Sequence, residues 1–180
     1  MIVTTGGRYN EITLQKAKDI AGRYELEFIM RKKRSVKELK ERYDDDILVV
    51  GNDELSISTI SNDGSVKYHP NFSMVRAKRL LNNEHDALVE AAELKAGMSF
   101  LDCTMGLGAD SVIAAMTVGP AGQVTALEHS FILYLLTKEG LVSYNANNDS
   151  INRAMRSVEA LYVNHEEYLK RLPDNRDRKS

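Results

Sequence analysis

Apolar and polar positions follow one another in short blocks along this 180-residue chain, and no single period runs from end to end. Ile12, Ala17, Ile20 and Ala21 recur at helical spacing, which predicts a helix over 11–22 that Gly22 ends. Glu27-Phe28-Ile29-Met30 reads as a short strand. Ser35 with Glu38 three residues on forms a capping-box pattern, opening a helix with Val36, Leu39 and Tyr43 along one side. Ile47-Leu48-Val49-Val50 predicts a strand before Gly51, and Leu55, Ile57 and Ile60 predict another. That strand is expected to turn at Asn62-Asp63-Gly64 toward Val66 and Tyr68. Residues 1–66 therefore read as a small α+β module.

From residue 67 the pattern becomes regular. Helices are expected over 71–82 and 84–94, then an apolar strand over 98–102, followed at once by Gly106 and Gly108. A helical run spans 111–118, Gly119-Pro120-Ala121-Gly122 turns the chain, and Gln123 to Leu127 forms a strand that ends on Glu128. Helices over 130–141 and 149–157, a strand over 158–163 and a helix over 165–171 complete the series. Strand, helix, strand, helix, strand is the signature of an α/β unit: a parallel sheet with covering helices. Residues 67–180 are expected to form this second domain.

Composition narrows the class of protein. Apolar residues make up 43% and charged residues 28%, with three Pro, one Cys and no Trp, which excludes a collagen, a disulfide scaffold and a wholly disordered chain. No stretch approaches the roughly 18 consecutive apolar residues of a membrane span. The N-terminus has no basic region leading into an apolar core, so no secretory signal is expected. With a single Cys, the expected setting is the reducing cytoplasm. The overall charge of −2 hides an asymmetry: residues 1–43 hold 11 basic and 6 acidic side chains, a local +5, densest at Arg31-Lys32-Lys33-Arg34. That run is either a contact for a phosphate backbone or a solvated surface.

The chemistry concentrates in Asp102-Cys103-Thr104-Met105-Gly106-Leu107-Gly108-Ala109-Asp110. Glycines between a strand and a helix let a ligand approach the backbone and expose its amides. Glu128, 20 residues after Gly108 and at the end of the next strand, is placed to accept both hydroxyls of a ribose. A dinucleotide fingerprint needs a third glycine at position 111, where this chain has Ser, and no Gly-Lys-Ser/Thr phosphate loop is present. Asp102 and Asp110 would repel a pyrophosphate and suit a ligand with a cationic centre and an ammonium group, as S-adenosylmethionine has. The bland alternative is a structural turn with Asp110 capping a helix. Cys103 has no companion thiol or clustered histidines, His85 is expected at a wet helix start, and Asp44-Asp45-Asp46 lacks the alternation of a calcium loop.

These residues resemble the first motif of class I S-adenosylmethionine-dependent methyltransferases. With His69-Pro70-Asn71, Arg76-Ala77-Lys78-Arg79 and Asp86 to Ala91, the chain is similar to the bacterial RsmJ-like family of small-subunit rRNA guanine-N2 methyltransferases. The resemblance covers 66–130 well and 151–172 more loosely. It implies a Rossmann-like sheet that binds S-adenosylmethionine. The loop with Asp102, Thr104, Gly106, Gly108 and Asp110 would face the methionine portion, Glu128 the ribose, and His129, Ser130, Asn164 and His165 the adenine. His69, Arg76 and Arg79 would meet the substrate or close the cofactor site, although Arg76 and Arg79, three apart, also read as a surface stripe. Ribosomal RNA is the implied partner, and a guanine exocyclic amine the implied acceptor.

The same resemblance predicts an apolar fourth strand ending in Asp-Pro, which would orient the acceptor. After Leu172-Pro173-Asp174-Asn175 the chain instead reads Arg176-Asp177-Arg178-Lys179-Ser180, too polar for a buried parallel strand. The expectation is therefore a C-terminally truncated methyltransferase sheet, inactive alone, whose first strand is left at an open edge. Such an edge offers a route to a homo-oligomer. Two other readings stand beside it: a non-catalytic RNA-binding or assembly protein with a remnant cofactor site, and a nucleotide-dependent oxidoreductase.

Overall fold

The computed structural model describes residues 1–52, 54–61 and 64–172. The expected turn at Asn62-Asp63 and the polar stretch from Pro173 onward lie outside the described residues. The chain divides into two compact units between Tyr68 and His69.

The first unit runs β1 (Ile2–Thr5), α1 (Glu11–Arg23), β2 (Glu27–Phe28), α2 (Val36–Tyr43), β3 (Ile47–Val50), β4 (Leu55–Ser58) and β5 (Ser65–Lys67). Its sheet has the order β2-β1-β3-β4-β5, with β1 parallel to both neighbours and the last two strands antiparallel. The sequence pattern did not predict β1, although it is the strand that joins β2 to β3. Four residues, two of them Thr, are too few to show a period, and burial on both faces removes the alternation. The chain leaves β1 toward β2 and then crosses back over it to β3. Right-handed crossovers in opposite directions put α1 and α2 on opposite faces. Leu39 of α2 packs with Ile2 and Ile47 on one of them. The capping box forms as expected: Ser35 Oγ accepts from the Glu38 amide at 3.0 Å, and Glu38 accepts from the Ser35 amide at 2.5 Å. α1 runs one residue past Gly22, because the chain reverses only at Glu25, which takes a positive φ of 54°.

The second unit runs α3 (Asn71–Leu81), α4 (Ala87–Ala91), β6 (Ser99–Asp102), α5 (Ala109–Val118), β7 (Gln123–Glu128), α6 (Phe131–Ser143), α7 (Asp149–Ser157), β8 (Val158–Tyr162) and α8 (His165–Lys170). Its three strands are parallel in the order β6-β7-β8, the α/β arrangement the pattern predicts. α4 is shorter than the predicted 84–94. Asn83 adopts a left-handed conformation and Asp86 caps the helix through the Leu88 amide at 3.0 Å, so the helix starts three residues late. Val112, Ile113, Ala114, Ala115 and Val118 are buried on α5, and the alanines pack with Val124 of β7, Ala154 of α7 and Leu94. Among the described residues, β6 pairs only with β7, which leaves its other edge open. No helix among them is long and apolar enough to cross a membrane.

Candidate cofactor site

The glycine loop leaves the carboxyl end of β6 and enters α5. Gly106 and Gly108 both take positive φ, 53° and 76°. A Cβ on Gly108 would also stand 3.3 Å from Cγ2 of Thr137, so this position needs glycine for conformation and for space. The amide of Gly108 closes a turn onto the Met105 carbonyl at 2.7 Å, and the Met105 amide donates to the Leu127 carbonyl at 2.9 Å, tying the loop to β7.

Four side chains brace this loop. Asp102, 8% exposed, accepts from the Thr104 amide at 3.0 Å and from the Ser111 hydroxyl at 2.6 Å. Position 111, where a dinucleotide site would carry its third glycine, thus serves to hold the aspartate. Thr137 of α6 donates to the Gly106 carbonyl at 2.6 Å. Glu128 takes the Gly106 amide on one oxygen at 3.0 Å and the Ser130 amide on the other at 2.8 Å. The carboxylate expected at a ribose and the loop expected at the methionine portion are therefore joined directly. Each Glu128 oxygen keeps a further lone pair for a hydroxyl donor. The amides of Leu107, Ala109 and Asp110 donate to no group among the described residues and form an electropositive N-terminus.

The fourth brace is Arg76 on α3. Its guanidinium makes a bidentate pair with Asp86 at 2.8 and 2.9 Å and a third bond to Asp110 at 2.5 Å. Hydrogen bonding to Asp86 raises the Arg76 pKa against its own burial, and the same bonds hold the Asp86 carboxylate below its usual range. Arg76 is thus no part of a surface stripe: its side chain is only 18% exposed and it links α3, the start of α4 and the first turn of α5. Arg79, three residues on, pairs with Glu84 at 2.9 Å in solvent. No bond among the described residues carries Arg79 or the exposed His69 to the loop.

The remaining expected residues line the carboxyl ends of β7 and β8. His129 is exposed, Ser130 caps α6, and Asn164 caps α8 through the Glu166 amide at 2.8 Å, with His165 following half-buried. The Val163 amide bonds to the Glu128 carbonyl at 3.0 Å, which fixes the end of β8 beside Glu128. Sequence reasoning missed an aromatic group here. Tyr162, directly opposite Glu128 in register and 53% exposed, lies 5.4 Å from the Phe131 ring and 5.5 Å from that of Tyr134. The only signal for it was an aromatic at the next-to-last position of the predicted strand over 158–163. Cys103 is half-buried, and burial followed by the Asp102 charge pushes its thiol up, away from a reactive thiolate.

The donor set fits a nucleoside carrying an amino-acid-like cation: a carboxylate for two hydroxyls, a glycine-lined approach with free amides, and acidic side chains in the loop. The family model described as "Putative SAM-dependent methyltransferase" matches residues 31–178. The chain is 35% identical over 174 residues to the uncharacterized protein YpiP of Bacillus subtilis (strain 168), covering 97% of this chain and 67% of YpiP. A crystal structure of a SAM-dependent methyltransferase from Neisseria gonorrhoeae is similar in fold, with a TM-score of 0.58 at 15% identity over 94% of this chain. The chain spans 63% of that protein.

Proposed function

This chain belongs to the family of SAM-dependent methyltransferases, and we propose that its second unit binds S-adenosylmethionine at the loop Asp102–Asp110 with the ribose on Glu128. The observation that carries this reading is the bond from the Gly106 amide to Glu128, which brings the two halves of such a site within one hydrogen bond. Bound there, the cofactor supplies an electrophilic methyl group on sulfur. The chain's own residues hold and orient. Glu128 accepts the ribose hydroxyls, the free amides of Leu107, Ala109 and Asp110 face the carboxylate of the methionine portion, and Asp102 keeps the loop in its bent conformation through Thr104 and Ser111.

The acceptor we propose is an exocyclic guanine amine of ribosomal RNA. The resemblance of His69–Ala91 to the rRNA guanine-N2 family supports this reading. The nitrogen would take the methyl group and release a proton, leaving S-adenosylhomocysteine. To the loop Asp102–Asp110 and Glu128 we assign the binding of the methyl donor. Calorimetric titration with S-adenosylhomocysteine, and with NADH as a control, tests the assignment. The expected result is binding of the first alone, weakened about tenfold or more in Glu128→Ala, given one to two lost charge-assisted hydrogen bonds. Equal response to both ligands, or to neither, would refute it. Transfer of label from the cofactor to the guanine amine of ribosomal RNA tests the proposed acceptor, and label found only on other atoms would refute it.

A further inference from the structure

α3 reverses the usual order of an amphipathic helix. The residues it buries are small, Ser73 and Ala77, while its large apolar side chains point outward: Phe72 is 77% exposed and Val75 62%. Small inner residues let α3 lie close on α5, and the Arg76 bonds to Asp86 and Asp110 fix its position. Phe72 and Val75 add little to that packing. With Arg79 they recur at i, i+3 and i+7, so the three side chains form one outward ridge. Among the described residues Phe72 is the most exposed aromatic ring. A single exposed apolar residue is ordinary. Two adjacent ones, on a helix that the fold holds by other means, mark a contact surface.

The charge around this ridge favours a polyanion. From His69 to Asn83 the chain has no acidic residue, and α3 carries Arg76, Lys78 and Arg79. Arg76 is consumed by its two aspartates, and Arg79 pairs with Glu84. Lys78, three residues after Val75, is exposed and has no carboxylate partner among the described residues. An open aromatic ring beside a free cation is the arrangement that holds a nucleic-acid single strand, with a base on the ring and a phosphate on the cation. The ridge also lies at the donor site. Phe72 and Arg76 stand at i and i+4, one turn apart on the same side of α3, and Arg76 holds Asp110 in the first turn of α5. The ring therefore flanks the loop Asp102–Asp110.

We propose that Phe72 is a stacking platform for an unpaired base of the RNA substrate, with Val75 widening the apolar ledge and Lys78 taking a neighbouring phosphate. The proposal rests on the reading of this unit as the methyl-donor site for an RNA. A base inside a duplex hides its faces, so a single strand is the form that fits. Anisotropy of a fluorescently labelled single-stranded RNA of about ten nucleotides, titrated with the full chain, tests it. Phe72→Ala should weaken this binding about tenfold, the loss of one stacked base. Its melting temperature and S-adenosylhomocysteine affinity should stay unchanged, because the ring is exposed. Phe72→Leu keeps an apolar side chain without a π face and should lose as much as Phe72→Ala. The chain has no Trp, so Phe72→Trp places a single reporter on the platform. This variant should bind the RNA as tightly as the unaltered chain, and the single strand should quench its fluorescence where the same RNA annealed to its complement does not. Unchanged RNA affinity in Phe72→Ala, or a tryptophan left unquenched while RNA binds, overturns the platform and leaves the donor site standing. Self-association that Phe72→Ala abolishes, with RNA affinity intact, assigns the ridge to a second copy of the chain and overturns it as well. An unaltered chain that binds S-adenosylhomocysteine but no RNA overturns the proposed acceptor, and the platform with it.

Discussion

The two units present the same device with opposite finish. In each, a parallel strand ends in a loop bearing two glycines that enters a helix of ten or more residues, Gly6-Gly7 before α1 and Gly106-x-Gly108 before α5. In the second unit the side chains and Gly106 of the loop are engaged, Asp102 by Ser111, Gly106 by both Thr137 and Glu128, Asp110 by Arg76, while the Leu107, Ala109 and Asp110 amides stay free for a ligand. In the first unit no side chain braces the Gly7, Arg8 and Tyr9 amides among the described residues, and the Arg8, Lys32 and Lys33 side chains have no carboxylate partner among them. A braced, acidic loop is organised before its ligand arrives, so binding loses little conformational freedom. Local architecture is shared, and the bracing and the sign of the charge distinguish the two loops.

The strongest way to break the contrast is to remove the brace with the most bonds. Arg76→Met leaves the Asp86 carboxylate buried without its bidentate partner and frees Asp110, and should destabilise the second unit by about 3 kcal/mol, the lower end for breaking a buried pair. Chemical denaturation followed on the α5 amides measures it. The pH dependence carries a second signature. The folded Asp86 pKa is depressed, so its stabilisation is present above the ordinary aspartate range near pH 4 and is lost as pH falls through the folded value. Arg76→Met should flatten that acid limb. A variant with an unchanged limb would show that Arg76 is not what holds Asp86.

Gly108→Ala addresses the loop itself. A methyl group at φ 76° with Thr137 at 3.3 Å should cost about 2 kcal/mol, seen as a lower denaturation midpoint and weaker S-adenosylhomocysteine binding. The same substitution at Gly7, whose φ lies outside the left-handed region, should leave stability within about 0.5 kcal/mol. If both behave alike, the two loops are not differently held.

What the sequence made legible follows the same division between local and distant. The glycine loop, Glu128 and the Ser35 capping box are readable because each is a short spacing that a single element enforces. Arg76 reads from the sequence as a residue that meets the substrate or closes the cofactor site, or else as part of a surface stripe; its role as a brace is not legible because its partners lie 10 and 34 positions away, and the Thr137 bond to Gly106 spans 31. Contacts at such separations leave no period along the chain. β1 escaped for a different reason: its hydrogen bonds come from strands on both sides, while its own four residues carry too little pattern to declare it. The Tyr162 group was hidden because its rings come from the end of β8 and the first turn of α6.

Ser111→Ala is a finer test of the brace. The serine is fully buried and its hydroxyl is one of two donors to Asp102, so its loss leaves a nearly buried carboxylate with the Thr104 amide alone. The expected cost is about 1–2 kcal/mol in stability. A larger proportional loss should appear in S-adenosylhomocysteine affinity, because the loop conformation depends on Asp102. Stability falling with affinity intact would mean that Asp102 supports the fold and not the loop.

The smallest effect sets the control for all the others. Ser35→Ala removes the Oγ that caps the Glu38 amide in α2, far along the chain from either glycine loop, and should cost about 1 kcal/mol. Glu38 keeps the Ser35 amide, the main cause of its lowered pKa, and loses only the hydroxyl, so its titration should move part of the way up toward the ordinary glutamate value, which carboxyl-carbon NMR reads directly. S-adenosylhomocysteine binding at Glu128 should be unchanged, since the capping box makes no bond to the loop Asp102–Asp110 among the described residues. A loss of that affinity in Ser35→Ala would mean that the second unit's loop is not held by its own braces alone, and the contrast between the two units would fail.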